Sequence, residues 1–146
     1  MHRYMESSPG CWAVYGEVLA REYGQPAFFR MHKFTVDAYA VQHPGQPSPQ
    51  SIQSVAVHLS RLCLMLERGT TADAATATMQ NIARRKDGFR WLEPPPSRGA
   101  VTVADVHRAA SPDEHAARVR AWAASAWEAW SAHHGTVRGW LLKQVT

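Results

Sequence analysis

The stretch Ser51–Glu67 constrains this chain more than any other. Ile52, Val55, Leu59, Leu62 and Leu66 recur at the three- and four-residue spacing that gathers side chains on one face of an α-helix. Ala56, Val57, Cys63 and Leu64 fill the sectors beside that stripe, so little of the helix is left for water. A helix apolar on nearly every side belongs in the middle of a bundle. Ser48-Pro49 opens it, with Ser48 as cap and Pro49 at the first helical position, and Gly69 is its expected stop. The fold class that follows is all-α: an irregular bundle of five to six helices around this central one.

The other segments supply its partners. Ser8-Pro9 opens a first helix through Trp12, Tyr15, Leu19 and Tyr23, ended by Gly24. A second covers about Ala27–Gln42, with Phe28, His32, Val36, Tyr39 and His43 along one face. After the Pro-rich loop His43–Pro49 and the central helix, Thr71 caps a fourth, Ala72–Arg85, with Ala75, Met79 and Ile82 inward. Asp87-Gly88 is a turn, and Phe89–Ser97 is a short strap that packs Trp91 on the bundle. Thr102 and Asp105 pair as caps of a short helix over Val103–Ala109. Ser111-Pro112-Asp113-Glu114 is a strong start for a last helix through Val119, Trp122, Trp130 and Leu141, with a break expected near His134-Gly135. No internal repeat or linker divides the chain, so residues 1–146 read as one helical domain.

Composition excludes several function classes. At 146 residues, with 45% hydrophobic and 19% charged residues, the chain can bury a core without disulfides. The longest apolar run, near Ser54–Leu66, is interrupted by His58, Ser60 and Arg61, so no membrane span is expected. No basic-then-apolar leader is read at the N-terminus. The expected location is cytoplasmic, with Cys11 and Cys63 as free thiols. The net charge is +4, but the densest basic spot is only Arg84-Arg85-Lys86 at a helix end, where it complements the helix dipole. Nucleic acid is therefore not an expected partner. Phosphate-binding glycine loops, a His-Glu-x-x-His pair and a Gly-x-Ser-x-Gly elbow are all missing from the sequence.

Chemistry concentrates between His32 and His58. Antiparallel packing of two helices joined by a short loop would set His43 near the start of the central helix and His32 near His58. His32, Asp37, Tyr39, His43 and His58 are the candidate ligand-binding residues. His32, His43, His58 and His134 are the candidate ligands of Zn²⁺ or another divalent metal, because neutral imidazoles beside a carboxylate suit such ions. The same groups could serve as a general acid–base set or simply satisfy one another as buried polar residues. Two functions of different kinds follow. The first is a metal- or small-ligand-binding helical domain, with enzymatic activity left open. The second is a non-catalytic interaction or homodimerisation module that uses Trp122, Trp127, Trp130 and Trp140. Trp127 lies off the stripe of the others, so some of these rings are expected at a surface.

The segments Ser8–Tyr23, Thr35–Gly45, Ser51–Leu59 and Trp91–Pro96 resemble an uncharacterised bacterial family known only as a domain of unknown function. The resemblance covers essentially the whole chain. It implies an upstream Cys-x-x-Cys segment that, with His2 and Cys11, would form a three-Cys, one-His zinc site. This sequence starts at Met1-His2, so His2 and Cys11 form an incomplete half-site. A weaker resemblance links His58 and His133-His134-Gly135-Thr136-Val137-Arg138-Gly139 to DinB-like metal-binding bundles. Arg138 stands where their pattern has a second His, so one ligand of that set is missing.

Overall fold

The computed structural model describes residues 8–85 and 88–142. Its elements are α1 (Pro9–Gly24), α2 (Pro26–Phe29), α3 (His32–Gln42), α4 (Pro49–Glu67), α5 (Ala72–Arg85), α6 (Val103–His107), α7 (Pro112–Ala129), a single 3₁₀ turn (Ser131–His133) and α8 (His134–Leu142). The described residues include no strand, and none of their helices is long and apolar enough to cross a membrane.

Local chemistry sets the helix starts. Four helices begin on a proline, which has no amide hydrogen to leave unpaired there. The Ser8, Ser48 and Ser111 hydroxyls accept the amides of Cys11, Ser51 and Glu114. Asp105 accepts the Thr102 amide as the pairing of these two residues predicts. Glu114 closes its cap one residue further out, on the Ala110 amide.

The structure differs from the sequence expectation in two breaks. The second expected helix splits at Arg30-Met31 into α2 and α3. The last helix breaks at Trp130, before Gly135, which lies inside α8. There the Trp127 carbonyl accepts both the Trp130 amide and His134 Nε2, so the regular ladder gives way to a 3₁₀ turn.

Helix α4 lies in the core, as its pattern requires, but α3 is enclosed still more completely. Eight of its 11 residues are buried, against ten of 19 in α4. It packs on α1, α4 and α7 at once. The core joins Tyr15, Val18, Tyr39, Val41, Leu59, Leu62, Trp122 and Trp130 into one cluster. Leu92 anchors the strap in it, while Trp91 is half-buried.

The expectation of surface tryptophans in the last helices is corrected. Trp122, Trp127, Trp130 and Trp140 are all buried. The break at Trp130 folds α8 back, and the His134 ring stacks on Trp127 with centroids 3.7 Å apart. The large exposed apolar groups among the described residues are Tyr23, Phe29 and Leu142.

Candidate functional site

A helix enclosed on three sides has no water for its polar side chains, so each needs a protein partner. Helix α3 carries four such buried groups, His32, Thr35, Asp37 and Gln42, and they turn to three different neighbours. At about 100° per residue, Tyr39 returns to the His32 side of the helix while Asp37 lies about 140° away.

The first neighbour is α1. Glu22 is fully buried, and its carboxylate collects three donors: His32 Nδ1 at 3.0 Å, Thr35 Oγ1 at 2.5 Å and, from α7, His115 Nε2 at 2.8 Å. Burial alone would raise the Glu22 pKa. The hydrogen bonds from His115, His32 and Thr35 outweigh it and hold the carboxyl below its ordinary value. Arg21 approaches His115 Nδ1 at 3.5 Å. A guanidinium only donates, so Nδ1 carries the lone pair and Nε2 the proton given to Glu22. This assembly ties α1, α3 and α7 together with every donor used.

The second neighbour is α4. Asp37, also fully buried, is gripped by the Arg61 fork, with Nε at 2.8 Å from Oδ2 and Nη2 at 2.6 Å from Oδ1. His58 Nδ1 reaches Asp37 Oδ1 at 2.7 Å, and the His58 side chain keeps 19% of its surface exposed. It opens on a shallow groove beside Gln50, Gln53 and Ser54. A carboxylate that orients an accessible imidazole can tune it for proton transfer or ligation.

The third neighbour is the strap, which runs on past Ser97 through residues 98–102 to α6, with α7. The Gln42 amide is fully committed. Its Nε2 donates to the carbonyls of Arg98 (2.9 Å) and Val101 (2.8 Å), and its Oε1 accepts Trp122 Nε1 at 2.7 Å. These bonds hold the strap against the end of α3 and frame a cavity of about 330 Å³. Cys11 and Val14 of α1, Gln42 and His43 at the end of α3, Arg98 of the strap and Val103 of α6 line it. The His43 ring stacks on Tyr39, itself stacked on Tyr15, and its Nδ1 donates to the Tyr39 carbonyl at 2.9 Å. Burial pushes the His43 pKa down; the bond to Tyr39 opposes this and the Arg98 charge adds to it. His43 is therefore a neutral ring whose remaining nitrogen, Nε2, can accept a hydrogen bond.

The candidate residues thus fall into separate assemblies. Asp37 and His58 meet; His32 faces Glu22, His43 lines the cavity, and Tyr39 is buried behind it, stacked between His43 and Tyr15. His134 is buried, donating to the Trp127 carbonyl at 2.8 Å. The four-histidine metal set is not one assembly, because α3 points its histidines away from the face that meets α4. Among the described residues, no three His, Cys, Asp or Glu side chains are grouped to hold a metal ion. His2 lies outside the described residues, as do Lys86 and Asp87, and no described groups complete a zinc site with Cys11.

Sequence reasoning missed Glu22, His115 and Arg98, and the roles of Thr35 and Gln42. A signal existed for two of them. Glu22 extends the buried Tyr15–Val18 stripe, and His115 extends that of Val119 and Trp122, so each places an ionisable group on a core face.

A model described as a family of unknown function (DUF5946) matches residues 2–131. The chain belongs to that family. The match agrees with the resemblance read from the sequence segments. In this DUF5946 chain the matched span contains all three polar assemblies and the cavity, while α8 lies C-terminal to it. No curated protein and no solved structure matches the chain.

Proposed function

We propose that the chain is a small-ligand-binding helical domain and that its site is the cavity between α1, the end of α3 and the strap. The observation that carries this reading is the wall at Arg98. Among the described residues its guanidinium has no carboxylate partner. One donor reaches the Gln42 carbonyl at a long 3.4 Å, and Nε is buried with no partner at all. A buried donor left unpaired costs about 1–3 kcal/mol, which a bound acceptor would relieve. The lining also pairs a few polar groups with apolar ones, as small-molecule sites do.

Cys11 offers the test. It is exposed on the cavity wall, whereas Cys63 is buried and its thiol is pushed up to about 11, first by burial and then by Glu67. N-ethylmaleimide should therefore label Cys11 selectively and obstruct the cavity. Fragments that shift the Gly10, Gly99 and Val103 amide signals should lose their effect on the adduct. Binding that survives the adduct would move the site elsewhere.

A second reading rests on the 2.7 Å contact between Asp37 and His58. This accessible imidazole, oriented by its carboxylate, would give one ligand to a divalent metal such as zinc. Metal analysis of untagged protein against His58→Ala tests the ligand role. A metal content unchanged by the substitution removes it.

A further inference from the structure

The chemistry of the cavity wall restricts what can occupy it. Its charged group is a guanidinium, whose planar fork of five donors matches a carboxylate better than any neutral acceptor. Arg98 is held by its backbone, since its carbonyl accepts Gln42 Nε2, so the side chain can turn without releasing the strap. Nε is shielded from water where it stands. Pairing it in a fork therefore needs the guanidinium to swing toward the cavity, and a bound anion supplies the attraction for that swing.

The second polar group of the lining asks for something different. His43 is fixed by stacking on Tyr39 and by the bond from Nδ1 to the Tyr39 carbonyl. Its free ring nitrogen is an acceptor, so a ligand group facing it must donate. Val14 and Val103 add apolar surface to the same lining.

We propose that the ligand is a small organic carboxylate, paired with the Arg98 guanidinium, that also carries an O–H or N–H group donated to His43 Nε2. This rests on the cavity being the binding site. It names hydroxy- and amino-substituted carboxylic acids as the ligand class and excludes their neutral amides as equals. A charge-assisted fork in a sheltered site is worth enough to separate an acid from its amide by about tenfold in affinity.

The experiment is a titration of the full chain with matched pairs: 2-hydroxyisovalerate, mandelate and anthranilate, each against its primary amide. Binding is followed at the Gly10, Gly99 and Val103 amides by NMR, in the parent protein, Arg98→Gln and His43→Phe. The dispersed spectrum of each variant reports that it is folded. The expected result is that at least one acid binds about tenfold more tightly than its amide. That preference should vanish in Arg98→Gln. In His43→Phe the acid should weaken while the preference over its amide remains. Acids and amides that bind equally, or a preference that persists in Arg98→Gln, would overturn the carboxylate assignment and leave the cavity standing. If no compound of either set shifts the cavity amides, the cavity reading falls with it.

Discussion

Replacing Glu22 with Gln should remove a large part of this protein's stability, and the loss should shrink in acid. Glu22 is wholly buried and accepts from His32, Thr35 and His115. A glutamine keeps one acceptor oxygen. In its best orientation that oxygen serves Thr35 and His115, and its amide nitrogen faces His32, which must move its ring proton to accept. All three contacts survive as neutral hydrogen bonds. Each falls from the roughly 1.5–3 kcal/mol of a charged pair to the roughly 0.5–1.5 kcal/mol of a neutral one. The sum over three contacts predicts a loss of about 3–4.5 kcal/mol near neutral pH, a large share of the roughly 5–15 kcal/mol that holds a domain folded. Urea titration read by tryptophan fluorescence measures it.

The pH dependence follows from the depressed Glu22 pKa. A carboxyl lowered on folding contributes stability that is present above its unfolded value of about 4.5 and is lost as pH falls through the folded value. The parent protein carries this contribution and the Gln variant does not. The gap between them should therefore narrow as pH falls from about 5 toward 3. A gap under about 1 kcal/mol at neutral pH, or one that stays constant into acid, would refute the reasoning.

Three further substitutions test the framework around the cavity and α3. Gly99→Ala should cost about 1–3 kcal/mol, because φ is +101° and an added Cβ would stand 2.6 Å from Ser125 Oγ. Gly69→Ala, at φ +65° but in open space, should lower the melting temperature less, and the reverse order would contradict the packing argument. Asp37→Leu should lose about 3–5 kcal/mol by stranding the buried Arg61 charge, while Asp37→Leu with Arg61→Met should recover most of it in the same denaturation assay. Ser60→Ala should leave stability unchanged or up to about 1 kcal/mol higher, since the buried Ser60 hydroxyl has no hydrogen-bond partner to lose. A clear loss there would mean that the hydroxyl is satisfied.

The order in which these features become visible has a physical basis. Helix starts are local: a serine hydroxyl three residues from an amide, or a proline with no amide to lose, acts within one turn, so Ser8, Ser48 and Ser111 could be assigned from sequence alone. The apolar stripe of α4 was legible for the same reason, because its period is a property of one segment. The break at Trp130 was not, since it depends on His134 reaching back to the Trp127 carbonyl, and Gly135, the local suspect, lies harmlessly inside α8.

The site was partly legible for the same reason. His32, Asp37, Tyr39 and His43 stood out as polar groups in an apolar helix, but a linear sequence does not say which neighbour each face of α3 will meet. Asp37 found Arg61 and His58 24 and 21 residues away, Glu22 found His115 93 residues away, and Gln42 found Trp122 80 residues away. The one clue that crossed this distance was an ionisable residue at a core position. A carboxylate cannot stay buried and charged without donors, so Glu22 in the Tyr15–Val18 stripe and His115 in the Val119–Trp122 stripe each demanded a partner. His32, Asp37, Arg61 and His134 raise the same demand, so residue chemistry shows that partners are needed and only the fold assigns Glu22 to His115. The Arg98 wall offers no such clue: an arginine in a Pro-rich strap reads as solvated until Gln42 draws the strap onto α3.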